Sequence, residues 1–377
     1  MTEYQSRPVR RLNERRVGTM LLVAAAAGLA ACTSGSHPTE VKRDTTQTPV
    51  TADTMPLRYH AEARGRYIGA ATGTVLTMPG DSGARLRAIV AREFNMLWTG
   101  RFMKFDYLRP NRWTYNYTQA DSVVAFANRN GMVVRGHTLV WHQQVPSWVT
   151  SGGYPADTLA AILKDHVDRV MAHFKGKLAA WDVVNEAMAD DGTIRSTLWL
   201  DNVGADYIEQ AFRWARAADP DVPLYYNDYS IETINAKSNA VYALLGDLKA
   251  RGVPVDGIGF QFHYQAQSAP TADQIVANFA RFASLGLKIQ ITEADMHVRV
   301  LNGLASSADL LVQATAYREM TNACLRTPNC NAIEIEGIYD GEAWVSDPTS
   351  WGAPVFFDIF MRPKAAYYAV QAALAGR

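Results

Sequence analysis

From Leu57 onward, short apolar segments alternate with longer amphipathic segments along the chain. The apolar segments have the length and the β-branched and aromatic content of buried strands. We predict these strands at "YIGAAT" (67–72), "FNMLWT" (94–99), "MVVRGHTLVW" (132–141), "LAAWDVVNEA" (178–187), "VPLYYNDY" (222–229), "GIGFQFHY" (257–264), "KIQITEAD" (288–295) and "NAIEIEG" (331–337).

The amphipathic segments predict helices between the strands. In 159–174 the apolar residues recur at helical spacing, and Gly176 follows as a stop signal. A second such segment, 206–220, ends with Pro220. Eight strand–helix units over about 320 residues indicate a parallel sheet, and eight strands close such a sheet into a barrel. The predicted fold class is α/β, a single (β/α)8 TIM barrel.

Polar side chains follow several of the predicted strands. The C-terminal strand ends of such a barrel meet at one mouth, where its active sites lie. The polar residues concerned are His137, Asn185, Glu186, Asn227, Asp228, Gln261, His263 and Glu293. Their convergence predicts a catalytic site.

Two glutamates at this mouth, Glu186 and Glu293, indicate the chemistry. Glycoside hydrolysis needs one protonated carboxyl to release the leaving oxygen, and one ionised carboxylate to attack the sugar or activate water. Tryptophans near the same mouth are suited to stacking on sugar rings, although such residues also serve in cores. They are Trp141, Trp148, Trp181 and Trp344.

Composition and charge narrow the function classes. The chain has 377 residues, of which 48% are hydrophobic, so it has ample material for a core. Basic and acidic residues number 37 each, and no long basic run follows the first 31 residues, so we expect no nucleic-acid partner.

The first 31 residues read as a secretory signal rather than as part of the fold. Five arginines precede the apolar run "MLLVAAAAGLAAC", which is too short for a good transmembrane helix. Residues 29–32, Leu-Ala-Ala-Cys, resemble a bacterial lipobox, in which the cysteine is lipidated and becomes the first residue. The alternative is an ordinary signal peptide cut nearby, with Cys32 left free. Thr33 rather than Asp after the cysteine favours the outer membrane, so we expect an exported lipoprotein at the outer membrane or cell surface.

The segment 32–54 is polar and Thr-rich without apolar periodicity, which predicts a flexible tether. The folded domain is then expected over 55–377. Removal of 1–31 would leave 32 basic and 35 acidic residues. The two later cysteines, Cys324 and Cys330, favour a short-loop disulfide in an oxidising compartment over two free thiols or a zinc site.

Several segments together resemble the glycoside hydrolase family 10, the family of the endo-β-1,4-xylanases. They occur in the family's order and cover about 57–374. The segments are "RGHTLVWHQQVPSW" (135–148), "WDVVNEA" (181–187), "LYYNDY" (224–229), "GIGFQFH" (257–263), "ITEAD" (291–295) and "FFDIFMRPKAAYYAV" (356–370). "CLRTPNC" (324–330) stands where many members carry a short disulfide.

The resemblance implies roles for the central residues. Glu186 matches the general acid/base and Glu293 the nucleophile of a family that retains anomeric configuration, so their carboxyls should lie about 5–5.5 Å apart. Asn185 matches the amide that binds the sugar 2-hydroxyl. His263 matches the imidazole that holds the nucleophile, with Asp295 fixing its tautomer.

The resemblance also implies supporting and substrate-binding positions. Gln261 and Asn227 match residues around the acid/base. Lys104, His137 and Trp141 match the subsite that grips the sugar being cleaved. Trp344 matches one of the two tryptophans that cover this site, and Gln144 stands in the matching segment 135–148 as a further substrate-binding candidate.

The chain departs from the family pattern in two places. The Glu and Asn that usually bind the next sugar on the non-reducing side are Gly100 and Arg101, followed by Phe102. A tryptophan that usually covers this side is Glu336. In one hypothesis Arg101 recognises an acidic or otherwise decorated sugar and Glu336 binds hydroxyls. In the other, the two residues form a structural salt bridge that reshapes the subsite.

The expected activity is therefore a retaining endo-β-1,4-xylanase that needs neither metal nor cofactor. One alternative keeps the mechanism on a decorated xylooligosaccharide or another β-1,4-glycan. A second is a glycan-binding lipoprotein without catalysis, against which the full set of catalytic positions argues. A metal-dependent barrel hydrolase is disfavoured, because no His-x-His pair ends a strand.

Overall fold

The structure, a computed structural model, describes residues 53–73, 76–342 and 350–377. The expected signal segment 1–31, Cys32, the tether up to residue 52 and Trp344 lie outside the described residues. A compact unit extends from Thr54 to Arg377. No helix in the described ranges is both long enough and apolar enough to cross a lipid bilayer.

Eight parallel strands close into a barrel, which confirms the predicted fold class. Each strand pairs with the next, and the eighth pairs with the first through Tyr67 opposite Ala332. In chain order the barrel strands are Tyr67–Ala71, Met96–Trp98, Val133–Val140, Ala180–Asn185, Leu224–Asp228, Gly257–Phe260, Lys288–Leu301 and Cys330–Ile335.

Helices connect the strands and cover the barrel. The helix predicted at 159–174 begins three residues earlier, and its apolar positions are buried as expected. The helix predicted within 206–220 ends at Ala218, before the proline. The α-helices are Leu57–Ala63, Gly80–Glu93, Phe105–Leu108, Thr118–Arg129, Ser147–Thr150, Ala156–Phe174, Leu198–Val203, Tyr207–Ala218, Ala236–Ala250, Ala272–Ser284, Ser307–Arg326 and Ala365–Ala375. Single 3-10 turns occur at Gly100–Met103, Ala266–Ser268 and Asp340–Glu342.

Two strands differ from their predicted lengths. The sixth ends at Phe260 because Phe262 adopts a left-handed backbone with φ of 61°. The chain then resumes as a short strand, His263–Gln265. The seventh strand extends to Leu301 because it gains partners beyond the barrel, including that short strand and Trp351–Gly352.

The eighth strand is fixed at its start by a disulfide and near its end by a buried hydrogen bond. The predicted disulfide is confirmed, and it joins Cys324 near the end of a helix to Cys330 at the start of the strand. Inside the barrel, the buried Glu334 accepts a hydrogen bond from Arg135 on the third strand at 3.5 Å. Gly69 on the first strand must lack a side chain, because a Cβ atom there would lie 2.7 Å from Cγ of Glu334.

Candidate active site

A cavity of 490 Å³ opens where the barrel strands end in polar residues. This volume lies within the range of about 300–1,000 Å³ that is typical of ligand sites. The cavity is lined by eight of the residues singled out from the sequence, namely Lys104, Trp141, Gln144, Glu186, Gln261, His263, Glu293 and Glu336. The two candidate catalytic carboxyls therefore face the same space.

The side-chain carbonyl of Asn185 connects the two carboxylates through two other amides. Its Oδ1 accepts a hydrogen bond from Asn227 Nδ2 at 2.9 Å and one from Gln261 Nε2 at 3.1 Å. The same Asn227 nitrogen donates to Glu293 at 2.7 Å, and the same Gln261 nitrogen donates to Glu186 at 3.0 Å. Because the carbonyl accepts both bonds, the orientation of each amide is fixed by the network.

The amide nitrogen of Asn185 takes no part in this hydrogen-bond network. The residue is only 2% exposed, and no described residue accepts a hydrogen bond from its Nδ2. A buried donor without a partner costs free energy unless a ligand satisfies it. Asn185 is therefore suited to donate to a substrate oxygen.

Glu186 has its carboxyl and its backbone held separately. Trp141 Nε1 donates to its Oε2 at 2.8 Å, while Gln261 donates to its Oε1. Its backbone is left-handed, with φ of 57°, a conformation that costs free energy in a residue with a side chain. The backbone N–H donates to the carbonyl of Asn227 at 2.8 Å, and Arg195 Nε donates to the carbonyl of Glu186 at 3.0 Å.

Glu293 is kept ionised by its surroundings. Burial alone would raise its pKa, but the charges of His137, His263 and Lys104 and a hydrogen bond from His263 outweigh burial and lower the pKa to about 2. His263 Nε2 lies 3.6 Å from Oε2 of Glu293, and His137 Nδ1 lies 3.8 Å from Oε1. An ionised carboxylate in this position is a competent nucleophile.

His263 is held by the buried Asp295. The imidazole Nδ1 lies 3.1 Å from Oδ1 of Asp295, and His297 Nε2 lies 3.3 Å from the same oxygen. Burial would lower the pKa of His263, but the Asp295 and Glu293 carboxylates hold it well above its usual value. The ring therefore favours the cationic form, which in turn favours the anionic form of Glu293.

The remaining predicted residues on this side pack around the same carboxylates. His137 Nδ1 contacts Asp182 at 2.9 Å, deep in the barrel. Lys104 Nζ lies 4.2 Å above the ring of Trp141, so the cation and the indole support each other at the cavity wall.

The two residues that depart from the family pattern do not form the salt bridge of the second hypothesis. The described residues include no ion pair of 4.0 Å or less between Arg101 and Glu336. The guanidinium of Arg101 lies 5.3 Å from the ring centre of Tyr107. Glu336 lies at the end of the eighth strand and faces the catalytic cavity, where burial and then the charge of Glu293 raise its pKa to about 8.

Two of the tryptophans considered for sugar stacking serve other purposes. Trp181 is 1% exposed, and its ring fills the space beside Gly136, where a Cβ atom would lie 2.3 Å from the indole. Trp148 donates its Nε1 hydrogen to the carbonyl of Arg109 at 3.1 Å and does not line the cavity.

Sequence reasoning missed two cations, Arg195 beside Glu186 and Lys237 beside Asp228. Arg195 NH2 donates to the hydroxyl of Tyr229 at 2.9 Å, and Lys237 Nζ lies 3.0 Å from the buried Asp228. Neither cation stands at a strand end, so the pattern of strand ends gave no signal for them. Across the described ranges, no three His, Cys, Asp or Glu side chains are grouped so that they could hold a metal ion.

Glu336 gives a pH-dependent stability that can be measured. Because its folded pKa of about 8 lies above the ordinary value of 4.5, its contribution is present below pH 4.5 and is lost as the pH rises through 8. Glu336→Gln removes this titration. As the pH rises from 6 to 9, wild type should lose on the order of 2 kcal/mol of unfolding free energy that the variant keeps.

Urea unfolding at the two pH values measures this difference. Glu62→Gln, at an exposed glutamate outside the cavity, controls for the loss of one carboxyl. An equal effect of Glu336→Gln at pH 6 and pH 9 would contradict the assignment.

Comparisons with known proteins agree with this geometry. The sequence model of glycosyl hydrolase family 10 matches residues 56–373. Endo-1,4-beta-xylanase B of Thermotoga neapolitana is 42% identical over 318 residues, which is 84% of this chain and 91% of that protein. The crystal structure of native xylanase 10B from Thermotoga maritima superposes with a TM-score of 0.82 at 42% identity, covering 85% of this chain and 98% of that chain. Xylanase 10B from Thermotoga petrophila, solved in complex with xylobiose, gives a TM-score of 0.82 at 41% identity, covering 86% and 99%. The chain belongs to glycosyl hydrolase family 10.

Proposed function

We propose that this protein is a retaining endo-β-1,4-xylanase, which cleaves internal β-1,4-xylosidic bonds of xylan by double displacement. The observation that carries the proposal is the pair Glu186 and Glu293 in one cavity, linked through the amide network of Asn185. Membership of the family and the xylanase names of the similar proteins support the choice of xylan.

In the first step, Glu293 attacks the anomeric carbon of the bound sugar. Its carboxylate is ionised at neutral pH, because its pKa is lowered to about 2. The sugar–oxygen bond breaks as the glycosyl–Glu293 ester forms, and the electron pair of the broken bond goes to the leaving oxygen. Glu293 loses its negative charge as the ester forms. His263 and His137 therefore stabilise and orient the free carboxylate before the attack, and they interact less strongly with the ester that follows.

Glu186 serves both steps as the proton carrier. It protonates the leaving oxygen in the first step, and it removes a proton from the attacking water in the second. Trp141 and Gln261 orient its carboxyl from two sides, which fixes the oxygen that faces the glycosidic bond. Water then cleaves the ester and releases the second product with its original anomeric configuration.

Asn185 donates its free amide hydrogen to the sugar 2-hydroxyl in this scheme. A hydrogen bond at this position strengthens as positive charge develops on the ring, so it stabilises the transition state more than bound substrate. The donor needs no reorganisation, because the carbonyl end of the side chain is already held by two amides.

The proposed setting is outside the cytoplasm. The basic and apolar segment 1–31 acts as the export signal, Cys32 carries the lipid, and 32–54 tethers the catalytic domain to the outer membrane or cell surface. Such a tether keeps a polymer-degrading enzyme beside the cell that takes up the products.

A substrate panel with the purified full-length chain tests the proposed activity. We expect hydrolysis of plain xylan, glucuronoxylan and arabinoxylan to short oligosaccharides, and little release from cellulose. Glu293→Gln keeps the size of the side chain but removes the nucleophile, so turnover should fall by at least about 10⁴-fold. Product chromatography measures both effects.

Two results of this panel would contradict the proposal. Cellulose as the preferred polymer would overturn the substrate, and full activity in Glu293→Gln would overturn the nucleophile. Binding of xylan without any turnover in wild type would instead favour the glycan-binding alternative.

Glu186→Ala distinguishes acid catalysis from other roles. A substrate with a good leaving group needs no proton, whereas the sugar leaving group of xylan does. We expect the first turnover of a dinitrophenyl xylobioside to be nearly preserved while kcat/KM on xylooligosaccharides falls by about 10²–10⁴-fold. Steady-state and burst kinetics on the two substrates provide the comparison. Equal losses on both would contradict the acid/base role.

A further inference from the structure

A second cavity of 480 Å³ adjoins the catalytic cavity. Glu336 lines both, so the two spaces meet at this residue. The side cavity, as we name it, is also lined by Gly100, Arg101, Tyr107, Gln119 and Glu342. It is large enough for a sugar unit, and a chain bound across Glu293 can reach it past Glu336.

Arg101 is the cationic wall of the side cavity. It lies in the 3-10 turn Gly100–Met103 directly after the second barrel strand, and it is solvent-exposed. The turn passes close to Gly73, in the loop that follows the first strand. Gly100 allows this approach, because its φ is 57° and a Cβ atom there would lie 3.2 Å from Cα of Gly73. This backbone path places Arg101 at the edge of the side cavity.

The guanidinium of Arg101 is oriented by an aromatic ring and forms no salt bridge within the described ranges. It lies 5.3 Å from the ring centre of Tyr107, which restricts the side chain. Within the described ranges it forms no ion pair at 4.0 Å or less, although its charge acts on the nearby, partly buried Asp106. A planar cation that is held against an aromatic ring and has no carboxylate at salt-bridge distance is suited to bind one through paired N–H donors.

Glu336 and Glu342 provide the polar groups elsewhere in the side cavity. Glu336 Oε2 and Glu342 Oε1 are buried atoms without a hydrogen-bond partner among the described residues. Such oxygens are satisfied when a ligand hydroxyl reaches them. Burial, and for Glu336 also the charge of Glu293, raises the pKa of Glu336 to about 8 and that of Glu342 to about 7. At pH 7 Glu336 is therefore mostly protonated and Glu342 about half protonated, which limits their repulsion of an anion.

We propose that the side cavity binds a uronic acid substituent of the xylan chain, with its carboxylate on Arg101 and its hydroxyls on Glu336 and Glu342. The proposal rests on the proposed xylanase function, and it adds a substrate class to it. The enzyme then prefers acidic decorated chains over plain ones, because the charge-assisted contact forms only with the acidic sugar.

Three matched oligosaccharides test this preference with the full-length chain. The first carries one glucuronic acid substituent on the non-reducing side of the cleaved bond. The second is the same molecule with its carboxyl group reduced to an alcohol, and the third is unsubstituted. We expect wild type to cleave the acidic oligosaccharide with a kcat/KM about tenfold above that of the reduced one. Added salt should reduce this ratio, since Arg101 is exposed.

Arg101→Gln should remove the preference, so that the acidic and the reduced oligosaccharide are cleaved with equal kcat/KM. Arg112→Gln is the matched control, because Arg112 is also exposed and stacked on an aromatic ring, 5.2 Å from the centre of Trp113, but does not line the side cavity. It should keep the wild-type ratio.

Equal rates of wild type on the acidic and reduced oligosaccharides would overturn the proposal, as would an unchanged ratio in Arg101→Gln. A wild-type preference for the reduced form would show a neutral-sugar site instead. Failure to cleave the unsubstituted oligosaccharide would count against the xylanase function itself, so the two failures are distinguishable.

Discussion

The side-chain carbonyl of Asn185 is the constraint on which the catalytic site depends. It accepts hydrogen bonds from Asn227 and Gln261, and each of these amides donates its other hydrogen to one of the two proposed catalytic carboxylates. The positions of Glu186 and Glu293 are therefore linked through one group, in addition to the separate contacts of Trp141 with Glu186 and of His263 with Glu293. The same two bonds turn the Asn185 amide nitrogen away from the protein network, so the group that sets the geometry also presents the free donor.

The barrel makes this network possible because it delivers its members from neighbouring strand ends. Asn185 ends the fourth strand, Asn227 lies near the end of the fifth, and Gln261 directly follows the sixth. The left-handed backbone of Glu186, held by Arg195 and by Asn227, then turns its carboxyl into the cavity. Local strain at this residue is sustained because hydrogen bonds fix the peptide on both sides.

The sequence predicted the strands and pointed to the two glutamates that face the cavity, because both leave a local signal. An apolar run predicts a buried strand, and polar residues at the C-terminal end of that strand are predicted to lie at the mouth of the barrel. Other features depend on contacts between distant segments. Trp181 is a core residue because Gly136 leaves room for its ring, and no run of residues indicates this. The position of Arg195 depends on how a long loop returns to Glu186, and the sixth strand ended early because Phe262 turns left-handed.

The anomeric configuration of the first product tests the central claim most directly. If Glu293 forms a covalent intermediate and Glu186 then activates water, the configuration at the anomeric carbon is inverted twice and therefore retained. Proton NMR during the first minutes of xylohexaose hydrolysis should then show the β-anomer of the new reducing end, with the α-anomer appearing only through mutarotation. Initial release of the α-anomer would mean a single displacement by water, and it would contradict the role given to Glu293.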